Sequence, residues 1–131
     1  MDLIRITPDK EKARSILKMV SLIEERIQST DRAKMASLII ADHYEVIKEL
    51  ITALLLADGY KTLSHKDLIE YLKERYAAFG THEIVLLDEL RVLRNRVTYE
   101  GFSIVPSYLN RNEQVFKAVA RKLKELLERK L

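Results

Sequence analysis

The sequence predicts an all-α helical bundle of about five helices, with two long antiparallel helices at its centre. Three observations predict it. The chain of 131 residues has only three Gly and two Pro, too few for the many turns of a sandwich or barrel. Apolar residues return at three- and four-residue steps along most of the chain, the period of a helix that buries one face. Capping residues and glycines punctuate those runs where helices would start and stop. At this length a single domain, residues 1–131, is the natural expectation. The balance of 47% apolar and 33% charged residues is that of a folded chain.

The first helix opens at Thr7-Pro8-Asp9, read as an N-cap hydroxyl, a proline at the first helical position and an acid in the first turn. Ala13, Ile16, Val20, Ile23 and Ile27 give it one apolar face. Gln28 to Asp31 offer new N-cap side chains, so the second helix is expected at once, from about Asp31 to Ala57 and antiparallel to the first. Ala36, Ile39, His43, Ile47, Leu50 and Leu54 mark its inner face, and Gly59 suits its C-terminal turn. Ser64 to Asp67 form a short capping box for a third helix, with Leu68, Tyr71, Leu72 and Tyr76 inward and Gly80 as its stop. Thr81 is the expected cap of the fourth, which carries Ile84, Leu87, Leu90, Leu93 and Val97 and ends at Gly101. Phe102 to Asn110 reads as an extended connection in which Pro106 excludes helix. The last helix is expected to begin at Asn110 to Asn112, with Val115, Val119, Leu123 and Leu126 inside.

The absence of cysteine removes disulfides, thiolate catalysis and cysteine-ligated zinc, and fits a reducing compartment. No secretory leader is visible, nor a run of about 18 uncharged apolar residues. A soluble, cytoplasmic protein with no membrane partner is therefore expected. The net charge of +3 is unevenly placed: six Lys and Arg against two Glu in residues 117–131 give +4, which leaves −1 for the rest. A basic patch attracts phosphate backbones, but cations near a helix C-terminus also complement its dipole, and that is the plainer reading.

His43 has Asp42 beside it and Glu45 and Glu49 nearby, superficially a carboxylate-rich bundle site. At about 100° per residue, however, Glu45 lies about 160° from His43 on the helical wheel. Imidazole and carboxylate diverge, and His43 reads as a polar residue in the core. His65 and His82 fall in first turns of helices and read as solvated. There is no Gly-rich phosphate loop, zinc spacing or Ser-His-Asp order, so neither a metal nor an organic cofactor is expected.

The segment Thr81 to Gly101 is different. Leu86, Leu90, Leu93 and Val97 form its core stripe, and Arg91, Arg94, Asn95 and Thr98 stand at i, i+3, i+4 and i+7 beside it. Arg94 is the most inward of the four. A guanidinium so close to the core edge needs a partner. The alternatives are an ion pair, with Asp88 or with Glu45 or Glu49 of another helix, and a place lining a cleft.

The run LLDELRVLRNRVTYEGF, residues 86–102, resembles the signature helix of HEPN domains. The order of the preceding segments, HYEVIKELITALLLADGYKTLSH (43–65) and then LIEYLKERY (68–76), is similar to that family's as well, and the small archaeal members are the most alike. The resemblance implies an all-helical fold, a homodimer, and association with RNA and with a nucleotidyltransferase partner in a toxin–antitoxin-like system. Active members are metal-independent ribonucleases whose R-x(4–6)-H motifs meet across the dimer cleft. A base near neutral pKa takes the 2′-hydroxyl proton there, and a cation balances charge at phosphorus. Carried over, the motif arginine is Arg94, the polar residue after it Asn95, and the histidine position holds Tyr99. A phenol ordinarily ionises near pH 10, so only about one in a thousand is a base at pH 7. The tyrosine that some members use for AMP transfer would fall at Gly101 and is absent.

Three functions follow as expectations. The first is a HEPN-type module that binds RNA or nucleotide through Arg91, Arg94, Asn95, Arg96, Thr98 and Tyr99 without the usual chemistry. The second is a divergent metal-independent endoribonuclease, with Arg94 and Tyr99 as its catalytic candidates. The third is a purely structural interaction module, in which Arg94 and Asn95 only brace the bundle.

Overall fold

Helix α2, Ala36–Asp58, packs against all four other helices. Fourteen of its 23 residues are buried, because its sequence is apolar on nearly every side rather than along one stripe. The computed structural model describes residues 1–131, with the other helices α1 at Lys10–Ser29, α3 at His65–Arg75, α4 at Thr81–Glu100 and α5 at Pro106–Lys130. The chain is thus an all-α five-helix bundle, 76% helical. Thirty-two buried apolar residues, thirty from the five helices with Phe79 and Ile104 from the connections, form one contiguous cluster. No helix is long and apolar enough to cross a membrane.

Cross-links fix the directions of the helices around α2. The Asp9 N–H donates to the Leu56 carbonyl at one end of the α1–α2 pair, and Arg26 forks onto Asp42 at 2.8 and 2.7 Å at the other, so these two run antiparallel. Helix α5 runs parallel to α2, tied near its start by Glu113 to His43 and near its end by Lys130 to Asp58. At that end Asp58 Oδ2 accepts from both Tyr71 and Tyr76, each at 2.5 Å, while Oδ1 pairs with Lys130 at 2.7 Å. Burial alone would raise the Asp58 carboxyl, but Lys130 and the two phenols outweigh it and hold it below its ordinary value. Burial and the same carboxylate push Tyr76 up to about 12.

Helix ends differ from the sequence expectations where side chains compete for the cap. Asp9, not Thr7, caps α1, accepting from the Lys12 N–H at 3.0 Å; Pro8 lies outside the helix. Asp31 does accept backbone N–H groups, from Ala33 and Lys34 at 3.0 Å. They close a turn rather than a helix, so α2 begins five residues later. Ser64 caps α3 as expected, accepting from Asp67 N–H at 3.3 Å. That helix stops at Arg75, short of Gly80. Gly80 rather than Thr81 is the N-cap of α4, and the Glu83 carboxylate reaches back to its N–H at 3.0 Å. Pro106 does not exclude α5: it is the first residue of the helix, where no N–H is needed. Only residues 101–105 lie between α4 and α5.

A small antiparallel ribbon joins the start of the chain to the end of α2. β1, Ile4–Arg5, pairs with β2, Tyr60–Lys61, as Ile4 to Lys61 and Arg5 to Tyr60. Two residues per strand carry no readable period. The ribbon depends on Gly59, whose φ of +93° ends α2 and turns the chain towards β1. A Cβ there would stand 3.1 Å from the Ile6 carbonyl oxygen and 3.3 Å from Pro8 Cγ.

Candidate functional site on the fourth helix

Helix α4 packs on α2 and α3, is tied to α5 at its first turn by Glu83 to Lys122, and leaves its outer face to solvent. Leu86, Leu87 and Leu90 are buried and hold it in place. Arg94 lies at the edge of that contact with its side chain 15% exposed. Its Nη2 donates to Glu45 Oε1 of α2 at 3.3 Å, its Nη1 donates to Asn95 Oδ1 at 3.2 Å, and its guanidinium lies 5.5 Å from the Tyr44 ring centroid. Lys48 also pairs with Glu45 and lies 3.3 Å from Glu49. Burial raises Tyr44 to about 12 against the opposing pull of Arg94 and Arg91, so it stays a neutral phenol.

The other arginines are partnered within α4 itself. Arg91 Nε meets Asp88 Oδ1 at 3.0 Å, and Arg96 Nε meets Glu100 Oε2 at 3.4 Å. Arg96 is also stacked on Phe102, 3.8 Å from the ring centroid. Gly101 makes that possible, since its φ of +65° folds the chain back and the Phe102 N–H returns to the Arg96 carbonyl. Asn95 is half-buried; Thr98 and Tyr99 are exposed. The six residues therefore divide. Arg94 and Asn95 are locked to each other at the core edge, and Arg91 is held beside them by Asp88. Arg96, Thr98 and Tyr99 face outward at the far end of the helix.

His65 departs from its expectation. It is half-buried, its ring 6.2 Å from that of Tyr44. Burial is the main cause of a lowered pKa, reinforced by Lys48 and Arg94, so its imidazole is neutral at pH 7. Tyr44 thus carries His65 and Arg94 on one ring. The first-turn position is covered by Tyr44 of α2.

His43 is buried as the core reading expects, and Glu45 and Asp42 turn away to Arg94 and Arg26. Its partner is Glu113 of α5, Nε2 to Oε2 at 2.9 Å, and Arg32 closes the group at 2.9 Å from Glu113 Oε1. The sequence carries a signal for this carboxylate once α5 starts at Pro106. Glu113 precedes Phe116, Ala120, Leu123 and Leu127 at helical steps, so it lies on the inner stripe. A helix starting at Asn110 to Asn112 would put it in a first turn, where acids are ordinary. No three His, Asp and Glu side chains are gathered as a metal ion would need.

No protein-family model, curated protein or solved structure matches the chain.

Proposed function

We propose that this is a HEPN-like module that binds single-stranded RNA or nucleotide along α4 and self-associates through the same face. The observation that carries the reading is the placement of Val85, Val92 and Tyr99. They are 62%, 44% and 75% exposed and recur at every seventh residue, an apolar line on the face of α4 turned from the core. Arg96 lies about 40° from Val92 to one side on the wheel and Asn95 about 60° to the other, so donors flank the line.

The ion pairs assign different work to the arginines. The Arg96–Glu100 and Arg91–Asp88 pairs are short-range, the first open to water at both ends and the second at its carboxylate, worth about 0.2–0.5 kcal/mol each. A phosphate displaces such carboxylates at little cost. Arg94 is tied between two helices, and its role is to position Asn95 and the cleft edge. Tyr99, uncovered, is the stacking platform, a contact worth about 1–3 kcal/mol per base. The homodimer and a nucleotidyltransferase partner both belong to this proposal.

A second reading, divergent metal-independent cleavage, is favoured by His65. A neutral imidazole beside Tyr44 and Arg94 supplies in space the base that position 99 lacks in sequence. Labelled RNA incubated with the protein in EDTA separates the two. Intact RNA with saturable binding supports the binding module. Cleavage lost in both His65→Asn and Arg94→Ala, with folding retained, supports the nuclease. Neither binding nor cleavage leaves the structural module, to which the carboxylate partners of all three arginines already conform.

A further inference from the structure

A second site lies away from α4, in the cleft where α1, α2 and α5 converge. It is a cavity of about 370 Å³, within the range that holds a small organic ligand. Ile27, Val46, Ile47, Phe116 and Ala120 make its apolar wall. The buried His43–Glu113 pair forms its polar floor.

The charges around it do not cancel. Glu113 is occupied by Arg32 and His43, and Glu24 is paired with Lys124 at 2.5 Å. Lys117 and Arg121, which also line the cavity, have no carboxylate within ion-pair distance. Of the six cations in the basic last stretch, Lys122 and Lys130 are likewise neutralised, by Glu83 and Asp58. Two of the four unpaired cations of α5, Lys117 and Arg121, thus stand at the cavity, while Arg111 and Arg129 lie towards the ends of the helix.

His43 adds direction. Burial is the largest influence on it and lowers its pKa, with Lys117 and Arg32 acting the same way against the pull of Glu113. Burial would raise Glu113, but Arg32 and His43 outweigh it and keep a carboxylate. A neutral imidazole beside a carboxylate donates from Nε2, and that fixes Nδ1 as a lone-pair acceptor. Nδ1 makes no hydrogen bond within the protein. His43 is among the residues that line the cavity.

We propose that this cavity binds a small organic anion: a phosphate or carboxylate on Lys117 and Arg121, a flat or apolar body against Phe116 and Ile47, and a hydroxyl or N–H donated to His43 Nδ1. The site is independent of the α4 reading, and neither stands or falls with the other.

The test is an NMR titration of the full chain, ¹⁵N-labelled, with adenosine 5′-monophosphate, 4-hydroxybenzoate and inorganic phosphate, each taken to about 10 mM, where any Kd better than about 1 mM is visible. The expected result is saturable movement of the His43 ring nitrogens and the Lys117 amide with at least one organic probe. The nucleotide and the hydroxybenzoate distinguish a phosphate from a carboxylate head. Inorganic phosphate, having no body, binds about tenfold more weakly or worse. The double variant Lys117→Glu, Arg121→Glu replaces exposed side chains, keeps the fold and weakens binding about tenfold or more. The proposal is overturned if none of the probes moves these signals, if the charge-reversed variant binds as well as wild type, or if inorganic phosphate binds as tightly as the organic anions.

Discussion

Arg94 of α4 donates to Glu45 of α2 across 3.3 Å, joining the helix that carries the candidate site to the central helix of the bundle. The two ends of this bond are not equivalent. Glu45 keeps Lys48 if Arg94 is removed, whereas Arg94 keeps only Asn95 and the face of Tyr44 if Glu45 is removed. A half-buried guanidinium without a carboxylate is the costlier remnant. Glu45→Ala is expected to destabilise the fold by about 1–2 kcal/mol and Arg94→Ala by about 1 kcal/mol or less. Thermal melts of the two single variants and the double variant give the coupling, expected at about 0.5–1 kcal/mol.

The exposed line on α4 predicts self-association. Val85→Glu and Val92→Glu each place a charge in that line at positions that contribute little to the core, so monomer stability changes by no more than about 0.5 kcal/mol. Sedimentation of the wild type is expected to show a dimer, and either variant a monomer. A wild type that stays monomeric at about 100 μM would remove the dimer cleft from the account.

Stability is expected to fall on the acid side. His43 has its pKa lowered from an ordinary 6.5, chiefly by burial. As pH drops below about 6.5 the unfolded chain takes up a proton that the folded chain refuses, so stability that is complete above this value is lost progressively. Glu113, Glu83 and Asp58 are also lowered, each burial-opposed but held down by its cationic and hydrogen-bonding partners. Their contributions are complete above the ordinary carboxylate range and lost as pH falls through the folded values. All four act in the same direction. Urea midpoints are expected to be flat from pH 8 to 7 and to decline below about 6.5, with the first part of the decline reduced in His43→Gln.

Two glycines hold left-handed conformations for different structural purposes, and alanine distinguishes them. At Gly101, φ +65°, nothing lies within 4 Å of an added Cβ, so Gly101→Ala costs only the backbone term, about 1 kcal/mol. At Gly59, φ +93°, the Cβ also meets the Ile6 carbonyl. Gly59→Ala is expected to lower Tm by clearly more than Gly101→Ala, and to disturb β1 rather than α4.

The helices were legible because each buries a periodic apolar face, and Ala13, Val20, Leu50, Leu90, Val119 and Leu123 are all buried as their spacing requires. Their ends were less legible. Thr7, Asp9 and Asp31 all satisfy backbone donors in principle, and only the docked chain decides which does. Pro106 shows the same ambiguity, since proline both forbids a helix interior and favours a first turn. At the site, the Arg94–Glu45 pair follows from the cost of burying arginine, whereas Asp88, also expected as a partner of Arg94, pairs with Arg91 instead. His65 and the His43–Glu113–Arg32 group do not, because they are assembled from helices far apart in sequence. Pairing across 70 residues, as between His43 and Glu113, leaves no local period to read.

The most direct test of the α4 reading is an equilibrium titration of a fluorescently labelled single-stranded RNA with wild type and with Tyr99→Ala, with Tm measured in parallel. Tyr99 is 75% exposed, so its removal leaves the fold intact, and sedimentation of Tyr99→Ala separates a lost base contact from a lost dimer contact. The account predicts saturable binding by wild type that weakens about 5- to 150-fold in Tyr99→Ala at unchanged Tm. RNA that does not bind the wild type, or that binds Tyr99→Ala equally well, would contradict it.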